Sequence, residues 1–192
     1  MLSLFSEIDI TDKFRQPAEK REPLNKFRVS ECWDILNGKV SKNKFIEGRE
    51  VDPKGTYIMD SGTKKHELIQ GYIKDDYEIE IPVKKEIDGL IISGRVDLID
   101  KKDGSIWDIK TSFNILEPKE KYIHQVKMYL SLMEKEVGYI CQPIVYGLTS
   151  RNPDDFKVKF KIIGVCQRDD KWFAEQIQLL KEYYLNIKKY VK

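Results

Sequence analysis

Between Tyr77 and Thr111 the chain must fold back on itself twice. Tyr77 to Val83 alternates apolar and polar side chains, the period of a half-buried strand. Asp88-Gly89 follows as a tight-turn dipeptide, then an apolar strand from Leu90 to Asp100. Asp103-Gly104 is a second turn, leading into a third strand from Ser105 to Thr111. Three strands joined by two such turns form an antiparallel meander.

Elements of other periods flank it. Lys26 to Leu36 carries Phe27, Val29, Cys32, Trp33 and Ile35 near helical spacing and predicts a short helix. Residues 37–55, with Gly38, Gly48, Pro53 and Gly55 among many charges, read mostly as loop. Thr56 to Ile73 predicts a helix with His66 in its second half. Lys119 to Lys135 predicts another, with Tyr122, Val126, Tyr129, Leu130 and Met133 on one stripe. Tyr139 to Leu148 and Phe156 to Val165 read as strands, the second alternating at Phe156, Val158, Phe160 and Ile162. Trp172 to Val191 closes the chain as a helix whose Phe173, Ile177, Leu180, Tyr184, Ile187 and Val191 recur at three and four, a core-packing seam. This order implies an α/β fold with a mixed central sheet flanked by helices.

A length of 192 residues suits one domain over 1–192, with the charged, proline-bearing residues 1–25 as an extended N-terminal arm. Net charge is +2 from 34 basic and 32 acidic side chains, which excludes binding by bulk charge alone and leaves room for a local basic groove. Cys32, Cys141 and Cys166 are odd in number and widely spaced, the pattern of reduced thiols. The apolar start, Met1 to Phe5, is too short for a signal peptide, and no apolar run approaches the ~18 residues of a membrane span. The expected location is the cytoplasm, with no membrane partner.

Several polar residues sit where strands and helices should be apolar. Asp97 lies inside Gly94-Arg95-Val96-Asp97-Leu98-Ile99, one hairpin before Asp108-Ile109-Lys110. Adjacent antiparallel strands can bring those carboxylates together, and two like charges that close require a cation or a shared proton. Asp108 and Lys110, two apart on a strand, share a face. Glu80 on the first strand is a further candidate metal ligand, or a solvent-facing partner of Glu78. Gln125 and Tyr129 are i and i+4 on one helix face and can reach the same groove. Two aspartates and a histidine can hold a divalent ion, and a lysine beside them can steady a water or a developing negative charge. That set suits metal-assisted phosphodiester hydrolysis.

His66, Gly94-Arg95-Val96-Asp97, Asp108-Ile109-Lys110-Thr111 and Gln125-Val126-Lys127-Met128-Tyr129, in that order, resemble the RecB-like branch of the PD-(D/E)XK nuclease superfamily. The resemblance spans about residues 56–135. It implies a restriction-endonuclease-like αβββαβ core. It makes His66, Asp97, Asp108 and the Ile109 carbonyl metal ligands, and Lys110 catalytic together with Asp97 and Asp108. Gln125 and Tyr129 then shape the site or meet DNA, with Arg95 and Thr111 beside them. CRISPR-associated and viral RecB-like exonucleases are similar. Many of the former hold an iron–sulfur cluster on one N-terminal and several C-terminal cysteines. Three cysteines without a C-terminal group fall short of the usual four thiolates, so no iron–sulfur cluster is expected.

The expected function is a Mg²⁺- or Mn²⁺-dependent deoxyribonuclease, an exonuclease acting in DNA processing, repair or defence. The partner is single- or double-stranded DNA, and a homo-oligomer or a helicase-type partner is compatible with this. The alternatives are a catalytically weak nucleic-acid-binding subunit of the same fold and a hydrolase of small phosphate esters. Candidate DNA contacts flanking the motifs are Lys64, Lys65, Arg95, Lys119, Lys121 and Lys127.

Overall fold

A computed structural model describes residues 21–48, 69–111, 116–146 and 157–191. The meander is present. β2 (Tyr77–Ile87), β3 (Leu90–Asp100) and β4 (Ile106–Ile109) pair antiparallel in sequence order. Asp88 and Gly89 both take positive φ (52° and 77°), as a two-residue hairpin turn requires. β2 runs four residues beyond the expected Val83. Lys84, Lys85 and Glu86 pair with Ser93, Ile92 and Ile91, a solvated stretch without apolar alternation to announce it.

The N-terminal region departs from expectation. Lys26–Arg28 is a strand, β1, running parallel to β3, and α1 begins only at Val29 and ends at Leu36. Phe27 is buried between exposed Lys26 and Arg28, so three residues of strand alternation merge into the helical spacing that follows. The first turn of α1 is fixed by Glu31, which accepts from the Arg28 amide (2.9 Å) and binds Arg21 through both carboxylate oxygens. Residues 37–55 are not simply loop either, since α2 spans Lys42–Glu47. Ser41 Oγ accepts from the Lys44 amide at its start, Gly48 (φ 82°) ends it, and buried Phe45 anchors it, with Ile46 half-buried against the core beside it. Of the helix expected over Thr56–Ile73, residues 69–73 are described and are helical.

After β4 come α3 (Glu120–Met133), β5 (Val137–Tyr146), β6 (Lys157–Gln167) and α4 (Asp170–Val191). α3 crosses over so that β5 lies parallel to β4, the connection that parallel neighbours demand. The six-stranded sheet is ordered β1-β3-β4-β5-β6, with β2 on the other side of β3. It is mixed and flanked by helices, the fold expected.

Among the described residues, two apolar clusters hold it together. The larger joins Phe27, Cys32, Phe45, Leu90, Ile92, Val96, Ile99, Ile106 and Ile140 to Val126, Met128, Tyr129 and Leu130 of α3 and Ile177, Leu180 and Ile187 of α4. The smaller joins Leu98, Ile109 and Cys141 to Ile69 and Ile73, with Tyr77, Ile79, Trp107, Val158 and Phe160 packed on it. In α4 the expected seam is buried at Ile177, Leu180 and Ile187, whereas Val191 is exposed. In β6 the expected alternation does not run through Ile162, which is exposed. The β5–β6 register shifts at Ile140/Cys141, so Ile163 rather than Ile162 packs on the larger cluster.

β2 and β3 change face at a single rung. Ile81 and Val96 are paired and join the larger cluster, while the next apolar pair along, Ile79 and Leu98, joins the smaller. Strict alternation would have kept them together. The residues between are Glu80, with a left-handed φ of 56°, and Asp97.

Candidate active site

The polar residues gather where the two strands change face. Asp97 stands one rung beyond the Leu98–Trp107 pair, in line with Asp108. Its Oδ2 accepts the Ile109 amide at 2.7 Å, which ties the carboxylate of β3 to the end of β4. Asp108 is 3% exposed. Lys110 Nζ lies 3.0 Å from its Oδ1, as a hydrogen bond, and 2.8 Å from its Oδ2, a charge contact in poorer alignment. Cys141 of β5 donates its thiol to the Asp108 carbonyl at 3.6 Å. Aspartate and lysine two apart thus meet on one face, as expected.

Electrostatics mark the cost of this arrangement. Burial and then the Asp108 charge push the Asp97 carboxyl up to about 7, with Glu80 adding to them, against the opposing pull of Lys110 and the Ile109 amide. Burial pulls Lys110 down, but Asp108, its hydrogen bond and Asp97 outweigh it and leave the ammonium held more tightly than usual. Lys110 Nζ also lies 4.4 Å from the centre of the Tyr122 ring, a cation–π contact.

Glu80 is neither a solvent partner of Glu78 nor turned fully to the aspartates. Its Oε1 accepts from Gln70 Nε2 (2.9 Å), and its Oε2 pairs with Arg95. Arg95, expected as a nucleic-acid contact, is therefore engaged beside the site. Gln70 is buried and was not singled out by sequence. Its only signal is an amide within the apolar run Leu68-Ile69-Gln70-Gly71-Tyr72-Ile73.

α3 closes the other side. Tyr129 is 3% exposed, and its hydroxyl accepts the Arg95 amide at 3.1 Å and shares a hydrogen bond with Gln125. Burial pushes its phenol up to about 12. The ring lies so close to β3 that a Cβ on Gly94 would sit 2.6 Å from the hydroxyl oxygen. The Gly-Arg-Val-Asp sequence thus needs its glycine for the approach of Tyr129. Thr111 is half-buried just past β4. Lys127 turns away from the aspartates, pairing with Asp169 (3.2 Å) and lying 4.3 Å over the Trp172 ring. Lys119 and Lys121 are exposed at the start of α3. His66, Lys64 and Lys65 lie outside the described residues. The thiols of Cys32, Cys141 and Cys166 are free and buried, and burial raises all three.

The donors fit a hard divalent ion in part. Asp97 and Asp108 converge, and their repulsion is what a cation would relieve. Mg²⁺ commonly takes one or two carboxylates and completes its shell with water and phosphate. Among the described residues, no three His, Cys, Asp or Glu side chains form a ready cage.

Residues 16–184 match the sequence profile of the family described as the PD-(D/E)XK nuclease superfamily. Among solved structures, the alkaline exonuclease LHK-Exo of Laribacter hongkongensis is 16% identical with a TM-score of 0.57, over 88% of this chain and 90% of that one. The same enzyme in complex with dAMP, again 16% identical, gives 0.59 over 88% and 90%. SSO0001 is 20% identical with a TM-score of 0.52, over 87% of this chain and 77% of that one. At such identities the likeness is one of fold. None of the curated proteins matches the chain. Among the described residues, no helix is long and apolar enough to cross a membrane.

Proposed function

Because the chain belongs to the PD-(D/E)XK nuclease superfamily, we propose that it is a divalent-metal-dependent deoxyribonuclease of exonuclease type, with its site at Asp97, Asp108 and Lys110. The observation that carries this reading is the meeting of two carboxylates from neighbouring strands, one of them clasped by Lys110. Asp97 and Asp108 would hold the ion with the Ile109 carbonyl, and His66 is a further proposed ligand. When bound, Mg²⁺ or Mn²⁺ would supply Lewis acidity at the scissile phosphate and a water of lowered pKa. Lys110, anchored on Asp108 and Tyr122, offsets negative charge building on the phosphate or orients the attacking water. Gln125 and Tyr129 brace β3 through the Arg95 amide, so that Asp97 keeps its position. Arg95 and Thr111 flank the path of the substrate. Glu80, close enough to act on Asp97, is a reserve ligand that must leave Gln70 and Arg95 to bind metal.

The competing reading is a nucleic-acid-binding subunit of weak activity. The engagement of Glu80 by Gln70 and Arg95 favours it, since it leaves fewer acids for metal. Digestion of 5′- and 3′-labelled single- and double-stranded DNA with Mg²⁺, Mn²⁺, Ca²⁺ or chelator separates the two. We expect Mg²⁺- or Mn²⁺-dependent cleavage that Asp97→Ala and Asp108→Ala abolish without unfolding the protein. Cleavage by either variant at the wild-type rate would remove the assignment, and no cleavage under any ion would favour the binding subunit.

A further inference from the structure

Trp33 stands apart from the core that the rest of α1 builds. Val29, Cys32 and Ile35 are buried, whereas Trp33 is only half-buried and carries the ammonium of Lys39 over its ring at 3.9 Å. Beside it opens a cavity of about 290 Å³, walled by Trp33, Asp34 and Lys39 from the α1 end and by Lys119, Glu120 and Lys121 from the start of α3. Its size is at the lower edge of small-ligand sites.

The cavity adjoins the aspartate–lysine site through one side chain. The ammonium of Lys121, which lines the cavity, lies 5.4 Å from the Tyr122 ring centre, and that of Lys110 lies 4.4 Å from the same ring. One strand of nucleic acid can therefore touch both.

The lining is chemically mixed. Three lysines suit a backbone phosphate, and a flat indole suits an unpaired base. Two carboxylates would repel a bare anion but accept from an exocyclic amino group. A nucleotide uses all three. The contact between Lys39 and Trp33 is a cation–π contact at an accessible site, the weaker partner when a base can stack there, and the displaced ammonium then gains a phosphate.

We propose that this cavity is a second nucleic-acid subsite, where an unpaired base of a single-stranded segment stacks on Trp33 and its phosphate lies on Lys39, Lys119 and Lys121. The proposal rests on the nuclease reading above and adds to it a preference for substrates with a single-stranded portion.

The test uses the emission of Trp33. The protein has three tryptophans, so Trp107→Phe with Trp172→Phe leaves Trp33 as the sole reporter. Oligo-dC is titrated in Ca²⁺, to suppress cleavage, and Trp33→Ala is measured in the native background by fluorescence anisotropy. We expect saturable quenching of Trp33. We expect Trp33→Ala to weaken single-strand binding roughly 10- to 100-fold, with cleavage at saturating DNA kept within a few-fold and Trp33→Phe restoring most of the affinity. Lys39→Ala should lower the logarithmic salt slope on single strands by about 0.7. Tight binding with unchanged Trp33 emission and an unaltered Kd for Trp33→Ala would overturn the subsite and leave the nuclease reading intact. Failure of the wild type to bind or cut any oligonucleotide would overturn both.

Discussion

Gly94→Ala probes how tightly α3 is pressed on the strand that carries Asp97. The added Cβ would lie 2.6 Å from Tyr129 Oη, 2.7 Å from Cε1 and 3.0 Å from Cζ. Comfortable contacts between non-bonded carbon atoms lie near 3.5–4.0 Å. Tyr129 is buried and cannot simply swing into water, so either the ring or the strand must move. Overpacking of this kind costs about 1–3 kcal/mol, and losing the hydrogen bond to the Arg95 amide adds about 1 kcal/mol. Urea unfolding should therefore show a loss of about 2–4 kcal/mol at unchanged slope. Cleavage should fall further than stability alone explains, because Asp97 follows on the same strand. Tyr129→Phe should not rescue the variant, since the ring carbons remain in the way. Tyr129→Ala costs about 3–5 kcal/mol alone, yet adding Gly94→Ala to it should cost little more. The double-mutant cycle should thus return a coupling of about 2–4 kcal/mol, the whole cost of Gly94→Ala alone. Wild-type stability for Gly94→Ala, or strict additivity in the cycle, would refute the close approach.

Lys110→Ala should keep Mn²⁺ binding by isothermal titration while losing cleavage by orders of magnitude; a parallel fall in both would make Lys110 structural. In chelator, stability should decline as pH rises from the unfolded aspartate value of 3.8 to about 7, because the folded protein holds the Asp97 proton over that window and the unfolded chain does not. Asp97→Asn should flatten that decline, whose full extent is on the order of a few kcal/mol, as read by urea melts at pH 5 and pH 8.5. The purified protein should be colourless and free of iron; a broad visible band with stoichiometric iron would mean that the three thiols recruit a fourth ligand.

The meander was legible because two Asp-Gly turns punctuate it and the alternation of Tyr77 to Val83 opens it. Asp97, Asp108 and Lys110 were legible for a related reason, since charges inside apolar strands stand out. β1 was hidden because three residues cannot display a period. α2 was hidden because two adjacent apolar residues, Phe45 and Ile46, cannot either, though Ser41 and Gly48 do punctuate it. The change of packing in β6 follows from a register shift against β5, which no single-strand pattern records. Gln70, Tyr122 and the engagement of Arg95 and Lys127 depend on partners distant in sequence or on another element. A lysine reads the same in sequence whether it faces a phosphate or, like Lys127, an aspartate 42 residues away.

The hydrogen bond from Ile109 to Asp97 spans only 12 residues of chain, that from Arg95 to Tyr129 spans 34, and that from Ser93 to Phe27 spans 66. Closing the last loop costs about 1.5 kcal/mol more conformational entropy than closing the first. The acidic pair therefore belongs to the most local contacts of the sheet, and β1 to the most remote. A chain emerging from the ribosome has made Phe27 long before its partner strand exists, yet it can join Asp97 to Asp108 almost as soon as both are free. Partial opening should shed β1 first. In native-state hydrogen exchange, the Ile109 amide should outlast that of Ile91, which is bonded to Asn25 beside the N-terminal strand.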